Sequence, residues 1–330
     1  MAVCLVTGGA GFIGAHVTNE LVKNGHQVIV LDDLSGGYES NVNKKATFIK
    51  GSITDVPLVE KIFNENKIDY VFHLAAYAAE GLSHFIKRFN YTNNLIGTVN
   101  LINESIKKKV KCFVFTSSIA VYGANQLPMD EAMVPVPEDP YGIAKLAAEQ
   151  DLRVSHEMFG LNYVIFRPHN VYGEYQNIAD RYRNVLGIFM NQILQNKPLT
   201  VFGDGKQTRA FSYIGDVAPY IARSIETPKA YNQVINIGAD QNYTITELAN
   251  TIMDVMGKKV DLKYLPARNE VVDAYSDHAK AKSIFNIQNF TGLTEGVGKM
   301  VAWVKEHGAR ETPRFKNIEI LEKLPSIWAE

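Results

Sequence analysis

The chain has 330 residues, 46% of them hydrophobic and 21% charged, with 34 Lys and Arg against 35 Asp and Glu for a formal net charge of -1. That balance removes any whole-chain electrostatic reason to bind nucleic acid or an acidic membrane surface. No apolar run approaches the roughly 20 residues that span a bilayer.

The first residues lead straight into a glycine-rich motif, so no signal peptide is expected. Residues 3–6 form an apolar, strand-like run, and residues 12–24 carry helical spacing closed by Gly25. A second strand is predicted at 27–31. Further strands follow at 47–50 and 70–74, separated by a helical stretch at 58–64. One long helix is predicted over about 84–109, ending in the cluster Lys107, Lys108, Lys109 and Lys111, where cations complement the helix dipole. A strand at 112–116, a helix at 140–158 and a strand at 163–166 complete the alternation. Strands alternating with helices through short connections predict an α/β fold, a doubly wound parallel sheet with helices on both faces.

Beyond Arg167 the rhythm loosens. Loop-rich segments at 168–183 and 202–211 flank a helix at 185–195. A helix at 217–226, a strand at 233–237 and a helix at 246–256 follow. This pattern predicts a smaller C-terminal α/β lobe, with some segments returning to the sheet. The tail from Gly308, with Pro313 and Pro325, reads as an arm lying over the surface. Cys4 and Cys112 both fall in strand-like runs, so free buried thiols in a reducing compartment, the cytoplasm, are expected. No metal site is expected.

Gly8-Gly9-Ala10-Gly11-Phe12-Ile13-Gly14 follows a strand and opens a helix, the context a dinucleotide loop requires. Glycines at 8 and 11 let the backbone turn and approach a pyrophosphate, Gly14 permits close helix–strand packing, and the helix N-terminus supplies free N–H groups. Gly8, Gly11, Phe12, Ile13 and Gly14 are therefore expected cofactor contacts. Asp32 ends the next strand, 18 residues beyond Gly14 and near the usual spacing of about 20. A carboxylate there accepts from a ribose 2′-hydroxyl and repels a 2′-phosphate, and no Arg follows in residues 33–37, so NAD is favoured over NADP.

Tyr141 and Lys145 are spaced i, i+4 and share a helix face, and Ser118 ends a predicted strand. A free tyrosine has a pKa near 10, so a base at neutral pH needs help. A neighbouring ammonium and an oxidised nicotinamide both favour phenolate, and Ser118 can orient the same substrate hydroxyl.

With these residues in order, the chain resembles the extended short-chain dehydrogenase/reductase family. Within it, the nucleotide-sugar epimerases of the UDP-glucose 4-epimerase type match best. The matching pieces are residues 7–14, Asp32, 73–76, 93–98, the serine segment 116–123, Tyr141 with Lys145, and 167–173. The resemblance implies a Rossmann NAD-binding domain at 1–168 with 212–238 and a nucleotide-sugar lobe at 169–211 with 239–330. It implies that Asp55 and Ile53 flank the adenine, that Leu74, Ala75 and Ala76 line the cofactor cleft, and that Asn94 lies beneath the cofactor. Arg209 and Arg268 would hold the substrate diphosphate, Asn170 would contact the diphosphate or the sugar, Tyr275 would border the sugar, and a homodimer is implied.

The expected reaction is epimerisation of a nucleotide-diphosphate hexose at C4 through a transient 4-keto sugar, with UDP-glucose and UDP-galactose as its pair. The alternatives are a 4-dehydrogenase or reductase, an epimerase of a GDP-, CDP- or uronic-acid sugar, and a non-catalytic NAD-binding scaffold. Ile119-Ala120, where related dehydratases and decarboxylases carry an acid, disfavours those two reactions. Glu80, Ser83 and His169 depart from the epimerase pattern and leave the sugar and nucleotide open.

Overall fold

A computed structural model describes residues 1–267, 271–311 and 314–329. Six strands of its main sheet come from the first half: β1 (Val3–Thr7), β2 (Gln27–Asp32), β3 (Thr47–Lys50), β4 (Tyr70–His73), β5 (Cys112–Thr116) and β6 (Tyr163–Pro168). The Gln233–Ile237 strand returns from the second half to pair with β6. The order runs from that strand through β6, β5, β4, β1 and β2 to β3, every pairing parallel. The direction of winding reverses between β1 and β4. Ligand crevices of open parallel sheets form at such a point, beyond the strand C-termini.

Alternation along each strand decides both faces. Cys4, Val6, Val28, Val30, Phe72, Val114 and Phe166 pack on Val17 and Leu21 of helix α1 (Phe12–Lys23) and on Ile221. The intervening Leu5, Ile29, Leu31, Val71, Phe113 and Phe115 pack on Val59, Ile62 and Phe63 of helix α2 (Val56–Glu65). Leu101, Ile102, Ala148 and Leu152 join this second face. Cys4 and Cys112 are free and fully buried, and burial pushes both thiols up to about 12. A separate core in the second half joins the Val185–Leu194, Ile245–Met256 and Leu293–His307 helices through residues such as Phe189, Leu248, Ile252, Val297 and Met300.

One expectation needs correction. The long helix over 84–109 is instead a helix at Lys87–Tyr91, a widened π turn at Thr92–Ile96 and a helix at Gly97–Lys107. The cause is Asn94, whose amide bonds outward to both backbone groups of Tyr77 (2.8 and 3.0 Å) and to Asn90 (2.7 Å). Single π turns of this kind recur at functional sites. The segment 202–211 is loop-rich as expected, with Thr208–Ala210 forming a short strand between Asn242–Thr244 and Asp273–Ala274. The tail does form an arm. Phe315, Leu324, Ile327 and Trp328 pack over Tyr77, Phe85, Phe89 and Tyr182. Among the described residues, no helix is long and apolar enough to cross a membrane.

The Pro140–Phe159 helix starts at Asp139, which caps Gly142 N–H (2.9 Å), and stops at left-handed Gly160. Its Glu149 is buried and receives Arg167 from β6 through two bonds (2.9 and 2.5 Å) and the Ser117 hydroxyl (2.5 Å). This ion pair fixes the helix against the ends of β5 and β6. Glu149→Ala strands a guanidinium that is only 4% exposed, so a destabilisation of about 3–5 kcal/mol is expected in denaturant unfolding. A change below ~1 kcal/mol would show that the pair does not hold the helix.

Candidate active site

One continuous cleft of about 460 Å³ crosses the C-terminal edge of the sheet, lined by the glycine loop, Asp32, residues 74–78, Ser118, Tyr141, Lys145 and a wall from 168–211. At its first end the fit to a dinucleotide is steric. Gly8 has φ +74°, and a Cβ there would lie 2.7 Å from the Ala75 nitrogen; one on Gly14 would lie 2.1 Å from the Gly8 oxygen. No side chain caps the N-terminus of α1, which leaves its first N–H groups and partial positive charge facing the cleft. Asp32 ends β2 with its carboxylate bonded by Leu34 N–H (2.8 Å) and Ala10 N–H (3.0 Å). Burial raises its pKa, and those two backbone bonds oppose the rise.

Ile53, Leu74, Ala75 and Ala76 line the same groove. Asp55 does not: it is exposed and caps α2 by accepting from Leu58 N–H (3.1 Å). Asn94 is buried behind the groove, where its bonds to Tyr77 hold the 74–78 strip in place. His73 supports that strip from inside the sheet, bonded to Thr7 and Thr98 at 2.7 Å each.

In the middle of the cleft, Ser118, Tyr141 and Lys145 come together. Ser118 turns its hydroxyl toward the Tyr141 phenol and also accepts from Ala120 N–H (3.1 Å). Lys145 is fully enclosed, donates from Nζ to the Thr116 carbonyl (2.7 Å), and lies 4.6 Å from the Phe115 ring centroid and 5.8 Å from that of Tyr141. Of the two cations expected to favour phenolate, Lys145 is the one the chain itself supplies, and it does not offset burial. Burial pushes Lys145 down to about 7, with Glu149 opposing. Burial and then Glu80 hold Tyr141 above its ordinary value, against the Ser118 bond. Desolvation penalises each charge taken singly, so the polypeptide by itself keeps the phenol protonated.

At the far end, Asn170 (φ +39°) and Arg209 line the wall. Arg209 donates to the carbonyls of Thr208 (2.8 Å), Val271 (2.6 Å) and Val272 (2.6 Å), which orients its guanidinium along that wall. Arg268 lies outside the described residues. Tyr275 is not among the cleft-lining residues; its carbonyl accepts from Met129 N–H (3.0 Å).

Of the three departures from the epimerase pattern, only Glu80 lines the cleft. Ser83 is buried, donating to the Glu80 carbonyl (2.6 Å) and, at 3.4 Å, to Asp139. His169 points into the second lobe, between the Ala210 carbonyl (3.0 Å) and His278 (2.9 Å), with Asp240 (2.8 Å) beyond His278. Burial, then the neighbouring His278, hold His169 down at about 3. Sequence reasoning passed over Arg183 and Asn184, which also line the cleft. An Arg-Asn pair inside a loop carries no signal of its own.

A sequence model of the NAD dependent epimerase/dehydratase family matches residues 4–238. A putative UDP-glucose 4-epimerase of Methanocaldococcus jannaschii is 36% identical over 306 residues, covering 92% of this chain and 98% of that protein. The crystal structure of a UDP-glucose 4-epimerase from Thermotoga maritima with UDP-glucose superposes with a TM-score of 0.88 at 36% identity, covering 92% of this chain and 99% of the other. A UDP-glucuronic acid 4-epimerase from Bacillus cereus, in complex with UDP-glucuronic acid and NAD, gives 0.85 at 31% identity, with 92% and 99% covered.

Proposed function

We propose that this chain, which belongs to the NAD-dependent epimerase/dehydratase family, inverts C4 of a nucleotide-diphosphate hexose, with UDP-glucose and UDP-galactose as its substrate pair. The observation that carries this reading is the meeting of Tyr141, Ser118 and Lys145 where the glycine-walled groove joins the wall bearing Asn170 and Arg209. Residues 1–168 with 212–238 hold the dinucleotide in this reading, and 169–211 with 239–330 hold the nucleotide sugar. Bound NAD supplies the acceptor, and on the return the donor, of the hydride at C4.

The chain's own groups divide the remaining work. Tyr141 Oη takes the proton of the 4-hydroxyl and later returns it, while Ser118 Oγ orients that oxygen. Lys145, tied to the Thr116 carbonyl, places a cation beside the phenol when protonated. Arg209 and Asn170 tether the diphosphate end, which leaves the 4-keto sugar free to present its other face. Ile119 is packed with Val121, Tyr122 and Met129, so the position after Ser118 offers no acid for dehydration at C5. A uronic-acid sugar is the second reading, which the B. cereus likeness supports.

A homodimer fits the exposed apolar residues Ile143, Val154, Met158 and Phe159 on the Pro140–Phe159 helix and Ile96 on the neighbouring turn. Sedimentation of the holoenzyme should give a dimer, and a monomer at micromolar concentration would exclude it. For the reaction, UDP-glucose, UDP-galactose and UDP-glucuronate are each incubated with the holoenzyme and the products resolved. Interconversion of the first two without net NADH is expected. Tyr141→Phe should lower kcat by about 10²–10⁴-fold while still binding NAD. Unchanged turnover in that variant, or a released 4-keto sugar with stoichiometric NADH, would overturn the assignment.

A further inference from the structure

Two diphosphates must share this cleft, one from the dinucleotide and one from the substrate. Among its described lining residues only Lys145, Arg183 and Arg209 are cations. Lys145 is buried beside the phenol, and Arg209 stands on the far wall. Arg183 lines the cleft against Gly36 and has no role in the reaction described above.

Its position is specific. Nη2 lies 2.9 Å from the point a Cβ on Gly36 would occupy, so the guanidinium rests directly on that glycine. The adjoining Gly37 packs against the Ala10–Gly11 backbone, where a Cβ would lie 2.2 Å from the Ala10 oxygen, and Tyr38 N–H bonds that same oxygen (3.0 Å). The Gly36–Gly37 turn is thus the outer rim of the glycine loop at the N-terminus of α1. Arg183 reaches this rim from the opposite lobe. Its Nε is fixed by Asp180 (2.6 Å), and its Cζ lies 4.7 Å over the Tyr77 ring. Asp180 is held in turn by Tyr182 N–H (2.9 Å). Neither Nη group has a hydrogen-bond partner among the described residues, and the side chain stays 21% exposed to the cleft.

We propose that Arg183 is a clamp for the cofactor diphosphate, closing from the second lobe over the anion seated at the N-terminus of α1. A planar guanidinium held at Nε presents both Nη groups to phosphate oxygens, the geometry of bidentate phosphate binding. Gly36 keeps the rim low enough for it, and stacking on Tyr77 orients the plane. The clamp makes cofactor retention depend on contact between the lobes, which suits an enzyme whose coenzyme is recycled without leaving. The inference rests on the NAD assignment and is independent of which sugar is turned over.

The test uses full-length protein stripped of nucleotide and titrated calorimetrically with NAD, ADP and adenosine in the absence of any sugar. Arg183→Ala should weaken NAD and ADP at least about tenfold, with Arg183→Lys intermediate. Adenosine, which keeps the Asp32 end and lacks phosphate, should bind both variants as it binds the parent chain. Equal NAD and ADP affinities in R183A would overturn the clamp. So would equal affinities combined with a raised KM for the sugar nucleotide, since Arg183 would then serve the substrate. Loss of adenosine binding together with NAD would also overturn it, by showing a general collapse of the groove. If R183A does not fold, the R183K comparison of ADP with adenosine decides the same question.

Discussion

The bond from Lys145 Nζ to the Thr116 carbonyl ties the Pro140–Phe159 helix to the end of β5, and the rest of the site depends on it. It enters a region where charge is costly. Lys145 is pushed down toward neutrality and Tyr141 is held protonated, both chiefly by burial. Ionising the phenol beside a protonated lysine replaces two separately penalised charges by a buried pair, and such a pair is favourable only when its surroundings complete it. In the proposed reaction the nicotinamide ring of bound NAD would supply the missing third charge. Under that proposal base strength is a property of the loaded enzyme rather than of Tyr141 and Lys145 alone.

A second constraint is mechanical. The glycine loop cannot accept side chains at Gly8 or Gly14 without displacing backbone, so that wall of the cleft is built from closely approaching main chain. The opposite wall is assembled from distant pieces: Arg209 braced by carbonyls 62 and 63 residues away, Arg183 braced by Asp180, and Tyr77 between Arg183 and the arm residue Phe315. A local, main-chain wall thus faces one whose side chains are braced over long sequence separations.

Much of this could be read along the chain. The sheet strands announce themselves by β-branched runs, because a parallel sheet buried on both faces needs apolar residues throughout. Gly8 to Gly14, Asp32, Tyr141 and Lys145 are legible because backbone approach, ribose recognition and the i, i+4 face impose local spacing. What escaped reading depends on distance. Asn94 looks like a helix residue until Tyr77 arrives to draw its amide outward. His169 and His278 meet across 109 residues, and no local pattern foretells their contact. Asp55, an adenine contact by resemblance, instead caps α2 through Leu58 N–H. The Leu293–His307 helix carries Gly296 and Gly298, which blur its periodicity, although Gly296 is required where the Tyr172 ring leaves no room for a Cβ.

The central claim, that the phenol of Tyr141 becomes a base only in the loaded enzyme, is tested most directly by near-ultraviolet phenolate absorbance. The spectrum of the parent chain minus that of Tyr141→Phe is followed across pH, with and without bound NAD. In the stripped protein the difference signal should stay absent below about pH 10, the ordinary tyrosine value, and NAD should move its onset toward neutrality. Ionisation of Tyr141 near neutral pH in the stripped chain, or an onset that NAD leaves in place, would contradict the account.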